Sequence, residues 1–479
     1  MLQVSEIEVE NRLREDNPWW LSGGGIEPEW ASMPRRAYLP AFSALIRSEG
    51  ARRAVLLMGL RRVGKTILVY HAIHSLLQEG VTGRDILYVS LETPSLIGLS
   101  LDMLVWRFEK MFDRPAGTRL YVFFDEIQYL KSWELHLKSL VDSYRHCQFV
   151  ATGSAAAALK HKSAESGAGR FTEFVLPPLT FFEFLRFVGK ENDLIREEAD
   201  AEGRRRFVAT DIHALNTAFV DYLNFGGYPE AVFFEGLRKN PRRYIKSDII
   251  DKVLKRDMTA LFGVRRVLDL EHTFLYLCMH DGGLLDMVDL CANLEVKRPT
   301  AQNFIELLEA THLIYRLPPF GYGKDILRAR FKIYLADAAI APAVMLKGKA
   351  ILEDPAALGV ATETAVFKHL FARYYAQNVR FTYWRGKKDR EVDLVAEVGG
   401  QIIPFEVKYR AQHTGLRDLK GLLELCRQKS IDRGYVVTKS LDDFGTIADL
   451  PDTATRILRI PAPLLCYWMG ESELTPEQQ

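Results

Sequence analysis

The sequence is poor in cysteine and has almost no net charge. Its 479 residues include five cysteines, none of them in a CxxC spacing: Cys147, Cys278, Cys291, Cys426 and Cys466. The wide spacing argues against a disulfide scaffold or a zinc ribbon and fits a reducing compartment. The formal net charge is +1, from 63 Lys and Arg against 62 Asp and Glu. Any signal for nucleic-acid binding must therefore be local.

Long apolar runs and low-complexity segments are also missing. No stretch of about 18 uncharged apolar residues exists, as a membrane-spanning helix would need. The first 16 residues, MLQVSEIEVENRLRED, contain no apolar segment typical of a signal peptide. We therefore expect a cytoplasmic protein without a membrane partner. The composition, 48% hydrophobic and 26% charged, is that of ordinary globular proteins, and the length predicts about three domains.

Between residues 51 and 155, apolar runs alternate with stretches of helical pattern. The runs 54–60, 85–92, 120–126 and 147–154 are apolar throughout rather than at every second residue. Strands of this kind, separated by helices, are typical of a parallel sheet that is covered on both faces. We therefore predict an α/β fold with a parallel sheet in the N-terminal part of the chain.

The first of these runs is followed by a phosphate-binding motif. Residues 59–66, GLRRVGKT, match G-x-x-x-x-G-K-[ST] without a mismatch. Such a loop points backbone N–H groups at the β-phosphate, its lysine reaches the β- and γ-phosphates, and its Ser or Thr hydroxyl binds Mg²⁺. We expect Arg61 and Arg62 to face solvent or a partner. The predicted ATP-binding residues are Gly59, Leu60, Arg61, Arg62, Val63, Gly64, Lys65 and Thr66.

The strand 120–126 ends in two acids that complete such a site. Asp125 is predicted to hold Mg²⁺ together with Thr66, and Glu126 to polarise the attacking water. At the end of the next strand, the hydroxyls of Thr152 and Ser154 are placed to orient that water. A simple strand-to-helix turn is the alternative for this last pair. The sequence thus predicts a P-loop NTPase domain that hydrolyses ATP with Mg²⁺.

Several motifs together resemble those of a prokaryotic AAA-type ATPase family whose C-terminal half is a domain of unknown function (DUF4143). They are GLRRVGKT, VFFDEIQYLKSWE, ATGS, GRFTEFVLPPLTFFEF, GGYPEAV and EVDLV with IIPFEVK, and the resemblance covers roughly residues 15–465. It implies a homo-oligomer in which an arginine completes the ATP site in cis or from a neighbouring subunit. Arg170 is the candidate for that role. Alternatively, Arg170 neutralises Glu165 and Glu173.

A second cluster of acids lies near the C-terminus. Glu406 and Lys408 stand two apart on a predicted strand, so they share a face, and a hairpin through residues 398–401 would bring Asp393 beside them. Carboxylates on neighbouring strands can hold a divalent metal, the lysine can position or help deprotonate a water, and Glu363 on the preceding helix can add a ligand. This arrangement resembles the PD-(D/E)xK nuclease superfamily. The resemblance implies a restriction-endonuclease-like fold, Mg²⁺ or Mn²⁺, and DNA cleavage as an endo- or exodeoxyribonuclease.

The middle of the chain reads as mainly helical. Residues 196–207 are predicted as a helix, and residues 281–316 resemble a winged helix. The second helix of that segment carries Glu306 and few bases, which disfavours deep reading of the DNA major groove. Residues 236–256 contain eight Lys or Arg and two Asp, a net charge of +6. This run either follows a DNA backbone or is a solvated helix face paired with acids.

These observations predict a function and a five-part domain organisation. We expect an Mg²⁺-dependent ATPase that binds DNA and cleaves it in a metal-dependent reaction. The alternatives are an ATP-dependent regulatory switch that acts through protein partners and a DNA-binding adaptor whose nuclease-like domain is inactive. The predicted parts are an N-terminal extension (1–40), an AAA-type P-loop ATPase core (41–180), a helical lid or linker (181–264), a winged-helix-like domain (265–325) and a nuclease-like domain (326–479).

Overall fold

The computed structural model divides into two compact units. The first comprises Met1–Leu176 and Ala260–Gly263, and the second comprises Pro177–Thr259 and Val264–Gln479. Within the part of the chain that is described, no helix combines the length and the apolar character needed to cross a membrane. The described residues are 5–48, 52–114, 117–154, 169–199, 205–321, 330–346, 348–374, 379–388, 390–412, 414–447, 450 and 455–472.

A five-stranded parallel sheet is the centre of the first unit. The strand order is β2-β3-β4-β1-β5, and every neighbouring pair is parallel. All residues of β1 and β3 are buried, as expected for a sheet with both faces covered. The predicted parallel sheet is confirmed. Its strands are β1 (Ala54–Gly59), β2 (Ile86–Ser90), β3 (Leu120–Asp125), β4 (Cys147–Ser154) and β5 (Phe171–Val175).

Helices surround this sheet, and the N-terminal residues bind its edge. The buried Asn17 side chain donates to the carbonyl of Tyr88 at 2.8 Å and accepts from its N–H at 2.7 Å. Because β2 is an edge strand, these bonds satisfy backbone groups that would otherwise lack a strand partner. The helices of this unit that lie before β5 are Glu6–Asp16, Pro28–Ser32, Leu39–Arg47, Lys65–Gln78, Leu101–Met111 and Trp133–Ser143.

The second unit begins with helices and one hairpin. The predicted helix over residues 196–207 is wrong, because β6 (Ile195–Ala199) and β7 (Arg205–Ala209) pair antiparallel. Cross-strand ion pairing of Arg205 with Glu197 favours the hairpin over the helix that the Glu- and Arg-rich composition suggested. The helical segments between residues 181 and 262 are Phe181–Phe187, Glu191–Leu194, Ile212–Asp221, Tyr222–Gly226, Pro229–Phe233, Glu235–Arg238, Pro241–Tyr244, Ile245–Ile250, Lys252–Asp257 and Met258–Phe262.

Three helices and a small sheet follow in the order of a winged helix. The sheet has the strand order β8-β10-β9 and is antiparallel. Strand β10 therefore belongs to this sheet, although it lies beyond residue 325, where the sequence placed the end of the domain. The elements are helices Val267–Met279, Met287–Leu294 and Arg298–Ala310, and strands β8 (Leu284–Leu285), β9 (Ile314–Leu317) and β10 (Phe331–Leu335).

The C-terminal part contains a six-stranded mixed sheet with the order β11-β12-β13-β14-β16-β15. Strands β12 and β13 form an antiparallel hairpin whose turn uses Gly399 and Gly400 at φ 54° and 83°. The helix Lys420–Lys429 then connects β13 to the parallel strand β14. The strands are β11 (Arg380–Arg385), β12 (Glu391–Val398), β13 (Gln401–Val407), β14 (Arg433–Thr438), β15 (Gly445–Thr446) and β16 (Arg456–Pro461). The remaining helices are Ile340–Val344, Pro355–Tyr374 and Ala462–Ser472.

Candidate functional site

The phosphate-binding motif and the predicted acids meet at one edge of the first sheet. Because β1, β3 and β4 are parallel, their carboxyl ends lie at the same edge. The loop of residues 59–66 follows β1, Asp125 is the last residue of β3, and Ser154 is the last residue of β4. Strand β4 lies between the other two, so its end faces both the loop and the acids.

The loop has the backbone geometry that a phosphate site needs. Gly64 has a φ of 93°, which glycine adopts without strain, and it directly precedes the helix Lys65–Gln78. A Cβ on Gly59 would lie 2.5 Å from the carbonyl oxygen of Leu176, so only glycine fits there. The Lys65 side chain is buried, and its ammonium donates to the carbonyl oxygens of Gly59 and Leu60 at 3.1 and 2.9 Å. Of the loop arginines, Arg62 is exposed.

Asp125 is the central acceptor of the site and is buried. One of its carboxylate oxygens accepts from the hydroxyls of Thr66 and Tyr88, both at 2.9 Å, and the other accepts from Thr152. The structure thus brings together the two predicted Mg²⁺ ligands, Thr66 and Asp125. Mg²⁺ in nucleotide sites is held by one or two carboxylates or hydroxyls and by the phosphates of the substrate. This donor set fits such an ion.

Glu126 is held in a defined position beside Asp125. Its backbone has a φ of 56°, and its N–H donates to the Thr152 hydroxyl at 3.0 Å. The Gln128 amide donates to the Glu126 carboxylate, and the Gln128 carbonyl accepts from the N–H of Ser154 at 3.3 Å. Burial raises the pKa of Glu126, while the nearby Lys65 opposes the rise. A raised pKa makes a carboxylate a better acceptor for the proton of an attacking water.

Arg170 lies away from this edge. Its carbonyl oxygen accepts from the N–H of Ala54 at 2.9 Å, at the amino end of β1, and its guanidinium forms an ion pair with Asp142. Since a strand rises about 3.3 Å per residue, the six residues of β1 separate Arg170 from the loop by roughly 17–20 Å. The structure therefore does not bring Arg170 to the phosphate-binding loop of its own chain.

The C-terminal hairpin brings the predicted acids together. The carboxylate of Asp393 on β12 accepts from the N–H of Val407 on β13 at 2.8 Å. Lys408 follows β13 directly, and its ammonium forms an ion pair with the buried Glu406. Asp393 therefore lies beside the Glu406–Lys408 pair, as the spacing predicts.

A lysine that the sequence reasoning missed lies among these acids. The ammonium of Lys332, on β10, lies 2.8 Å from Glu363, 3.0 Å from Glu391 and 3.2 Å from Asp393. The hydroxyl of Tyr334 on the same strand also donates to Glu363. We call Glu363, Glu391, Asp393 and Glu406 the acid cluster.

The electrostatics of the acid cluster reflect its burial. Burial raises the pKa of Glu406 to about 8, and the adjacent Asp393 adds to this rise. Burial and Asp393 likewise raise the pKa of Glu363, while Lys332 opposes them. Among the described residues, no group of three or more His, Cys, Asp or Glu side chains is placed to hold a metal ion. The Lys332 ammonium forms ion pairs with Glu363, Glu391 and Asp393, and metal binding by Glu363, Asp393 and Glu406 stays a prediction from the sequence.

The basic segment 236–256 is largely paired within its own region. Lys246 and Lys255 form ion pairs with Asp251, and Lys252 pairs with Asp248. Arg242 donates to the carbonyl oxygen of Leu346 at 2.7 Å. These contacts favour a helix face paired with acids over a surface that follows a DNA backbone.

Comparisons with known proteins agree with the geometry of the ATP site. The family model of an AAA domain matches residues 51–185. Two domains of unknown function match further along the chain, DUF8612 at residues 216–350 and DUF4143 at residues 358–462. The matches support an AAA-type ATPase with a DUF4143 domain. The AAA domain supports ATP binding and ATP hydrolysis in general.

Similar proteins occur in bacteria and archaea. An uncharacterized protein of Haemophilus influenzae is 26% identical over 73% of this chain and 81% of its own length. Two uncharacterized proteins of Methanocaldococcus jannaschii are each 24% identical, over 81% and 84% of this chain and 82% and 84% of their own lengths. These alignments run through most of the chain.

Two solved structures of the replication initiator DnaA also align with this chain. One is bound to AMPPCP and single-stranded DNA, and the other is the AMPPCP-bound protein from Aquifex aeolicus. They are 14% and 12% identical, with TM-scores of 0.30 and 0.29, and each alignment covers 59% of this chain and 92% of the DnaA chain. These TM-scores are too low for an argument about this chain to rest on them.

Gln128, Lys332 and Tyr88 are among the residues of the two sites that were not predicted from the sequence. Gln128 stands two positions after the acid pair in DEIQ, a signal that could have been used. Lys332 is the one charged residue in the apolar run FKIYL, and a buried charge requires a partner. Tyr88 lies within an apolar strand and gave no signal, because its contact with Asp125 depends on the pairing of β2 with β3.

Proposed function

We propose that the chain is an Mg²⁺-dependent ATPase that uses Glu126 as the general base. The observation that carries this proposal is the contact of Thr66 with Asp125 at 2.9 Å, beside Lys65 and Glu126. A hydroxyl, a carboxylate, a lysine and a second carboxylate at one sheet edge are the groups that phosphoryl transfer from ATP requires.

Each of these groups has a distinct task in the proposal. Lys65 exchanges the carbonyls of Gly59 and Leu60 for the β- and γ-phosphate oxygens of ATP. Mg²⁺ between these phosphates neutralises the charge that develops during transfer. Glu126, fixed by Gln128, accepts the proton of the attacking water, and the Thr152 hydroxyl holds the Glu126 backbone in place. Ser154 fixes Gln128 through its N–H group.

Substitution Glu126→Gln tests the base. ATP should bind as in the unchanged protein, because Lys65, Thr66 and Asp125 remain, whereas turnover should fall by about 10²–10⁴-fold. ATP affinity is measured by calorimetry and turnover by phosphate release, with and without Mg²⁺. Glu92→Gln is the control, since Glu92 is an exposed acid just after β2. Turnover at the unchanged rate in Glu126→Gln would show that another group activates the water.

We further propose a homo-oligomer in which Arg170 reaches the ATP site of a neighbouring subunit. Two observations support it: Arg170 lies at the opposite edge of the sheet from its own loop, and its side chain is 43% exposed. An arginine that acts on the transferred phosphate from another subunit has to be accessible at the surface.

DNA binding by the winged helix is the second candidate function. The helix Arg298–Ala310 is the second helix of the helix-turn-helix portion, and the N-terminal part of such a helix contacts DNA. In this chain Lys297, Arg298, Gln302 and Asn303 are exposed there. Two cations and two amides suit contacts with phosphates and base edges, and Glu306 on the next turn limits how deeply the helix can enter the groove.

Fluorescence anisotropy with duplex DNA tests this candidate. The variant Lys297→Glu/Arg298→Glu should bind about tenfold or more weakly, and the slope of log K against log salt should fall by about two, because two phosphate contacts are lost. Lys131→Glu/Lys190→Glu is the control, since both lysines are exposed outside the winged helix. Equal loss in both variants would indicate non-specific attraction by charge. Turnover measured with and without DNA then separates a DNA-stimulated ATPase from a switch that acts on proteins.

A further inference from the structure

The position that a metal ion would take in the acid cluster is filled by a side chain of the protein. The Lys332 side chain is only 3% exposed, and its ammonium lies within 3.2 Å of three carboxylates. We infer that Lys332 takes the place of the divalent metal in the acid cluster, so that the C-terminal domain works without a metal ion. This inference is independent of ATP hydrolysis.

The three hydrogen-bond donors of the ammonium match the three carboxylates around it. A lysine ammonium carries three N–H donors and no acceptor, and Glu363, Glu391 and Asp393 each provide an oxygen at hydrogen-bond distance. A divalent ion bound to the same oxygens would lie within a few ångströms of the ammonium. Two positive groups at that distance repel each other strongly in a buried site, so the lysine and the metal exclude one another.

Lys332 is also fixed by the fold, because β10 is the middle strand of its sheet. Lys332 lies opposite Leu284 on β8 and Leu317 on β9, so the strand is hydrogen-bonded on both sides. The buried Asp281 accepts from the N–H of Leu335 at 2.9 Å and from the hydroxyl of Thr364 at 2.8 Å. The backbone position of Lys332 is therefore fixed, and the ion pairs with Glu363, Glu391 and Asp393 hold its side chain. The ammonium thus lies among the acids from a strand that is anchored on both sides.

Binding of Mn²⁺ by the full-length protein tests the inference. The experiment starts from the Lys65→Ala variant without nucleotide, so that the ATP phosphates that complete the metal site of Thr66 and Asp125 are absent, and follows free Mn²⁺ by electron paramagnetic resonance. We expect this parent to bind no Mn²⁺ in an Asp393-dependent manner. Addition of Lys332→Met should create one Mn²⁺ site per chain, and further addition of Asp393→Asn should abolish it.

Two results would overturn the inference. Mn²⁺ binding by the parent that is lost on Asp393→Asn would show that the metal and Lys332 coexist. A folded Lys332→Met variant without any Mn²⁺ site would show that the lysine does not stand in for a metal. If Lys332→Met does not fold, the parent and its Asp393→Asn derivative still decide the question. The melting temperature of the parent supplies a second measurement, which Mn²⁺ and EDTA should leave unchanged.

Discussion

Gln128 connects two parts of the ATP site through one side chain. Its amide N–H donates to Glu126 at the end of β3, and its carbonyl accepts from Ser154 at the end of β4. Gln128 is buried, with 6% of its surface exposed. Gln128 is therefore a positioning residue for the proposed base rather than a group that touches the substrate.

Substitution Gln128→Leu removes both bonds at nearly unchanged side-chain volume. The Glu126 carboxylate then loses its fixed orientation, and we expect turnover to fall by about 10²-fold while ATP affinity stays the same. Phosphate release and calorimetry measure the two quantities. Tyr129→Phe serves as the control, since it removes a neighbouring hydroxyl that contacts the exposed Glu92. A loss of ATP affinity equal to the loss of turnover would point to a collapsed loop instead of a misplaced base.

At the scale of residues, the sequence predicted the groups that belong to short motifs. Lys65 and Thr66 are positioned by the turn between β1 and its helix, so their neighbourhood is local. Lys332 could not be placed in this way, because its partners follow 31 or more residues later, on the helix Pro355–Tyr374 and on a strand of another sheet. Only the packing of β10 against the C-terminal domain brings them together.

At the scale of elements, the GGYP turn holds one buried ion pair in place. A Cβ on Gly227 would lie 2.1 Å from a carboxylate oxygen of Asp337. Asp337 forms an ion pair with Lys368 at 2.8 Å, and Lys368 also donates to the carbonyl oxygen of Leu179 at 3.0 Å. The weak GGYP motif in the sequence thus marks a close approach of the backbone to a buried charge.

Substitution Gly227→Ala should therefore destabilise the second unit. The added methyl displaces Asp337 from Lys368, and disruption of a buried pair costs about 3–5 kcal/mol. Gly236→Ala is the matched control, because no atom lies within 4 Å of its added Cβ and alanine stabilises a helix by about 0.5–1 kcal/mol. Thermal unfolding measures both. Equal melting temperatures in the two variants would contradict the close contact.

A buried histidine makes the stability of the same region depend on pH. His369 accepts from the N–H of Phe181 at 2.9 Å through Nε2, and its Nδ1 lies 2.7 Å from the carbonyl oxygen of Ala365. Burial lowers the pKa of His369 from 6.5 to about 3, and Lys368 adds to this. The unfolded chain therefore takes up this proton first, and stability is lost as the pH falls below 6.5. The loss is about 1.4 kcal/mol per pH unit.

The pH dependence can be measured with one substitution. Between pH 7 and pH 5 we expect the unchanged protein to lose about 2 kcal/mol through this group, whereas His369→Gln should lose less, since the amide does not titrate. His272→Gln is the control, because this ring is exposed. The comparison uses the change in melting temperature between the two pH values. Identical changes in all three proteins would show that protonation of His369 does not lower the stability of the folded protein.

The elements themselves differed in how well the sequence predicted them. Continuous apolar runs predicted β1 to β4 and their parallel pairing, because burial on both faces leaves a local signature. The hairpin of β6 and β7 was missed, since its charged residues favour a helix locally and only cross-strand pairs favour the strands. Strand β10 was detected as an apolar run, but its sheet could not be known from its own residues.

At the scale of the whole molecule, the position of Arg170 predicts shared ATP sites. Mixing the inactive variants Arg170→Ala and Lys65→Ala should restore turnover, because a Lys65→Ala subunit offers its arginine to an intact loop. Arg145→Ala is the control, as an exposed arginine just before the amino end of β4. Phosphate release is measured after co-assembly has been verified by gel filtration. No recovery in mixed assemblies would assign Arg170 to its ion pair with Asp142.

The lysine of the winged helix also constrains how such chains can change during evolution. Lys332 lies within the match to DUF8612, whereas Glu363, Asp393 and Glu406 lie within the match to DUF4143. A chain that acquired its winged helix from elsewhere would leave the buried acids uncompensated, unless a cation arrived at the same strand position. The two domains should therefore be inherited together, and relatives that lose the acids should lose the lysine as well.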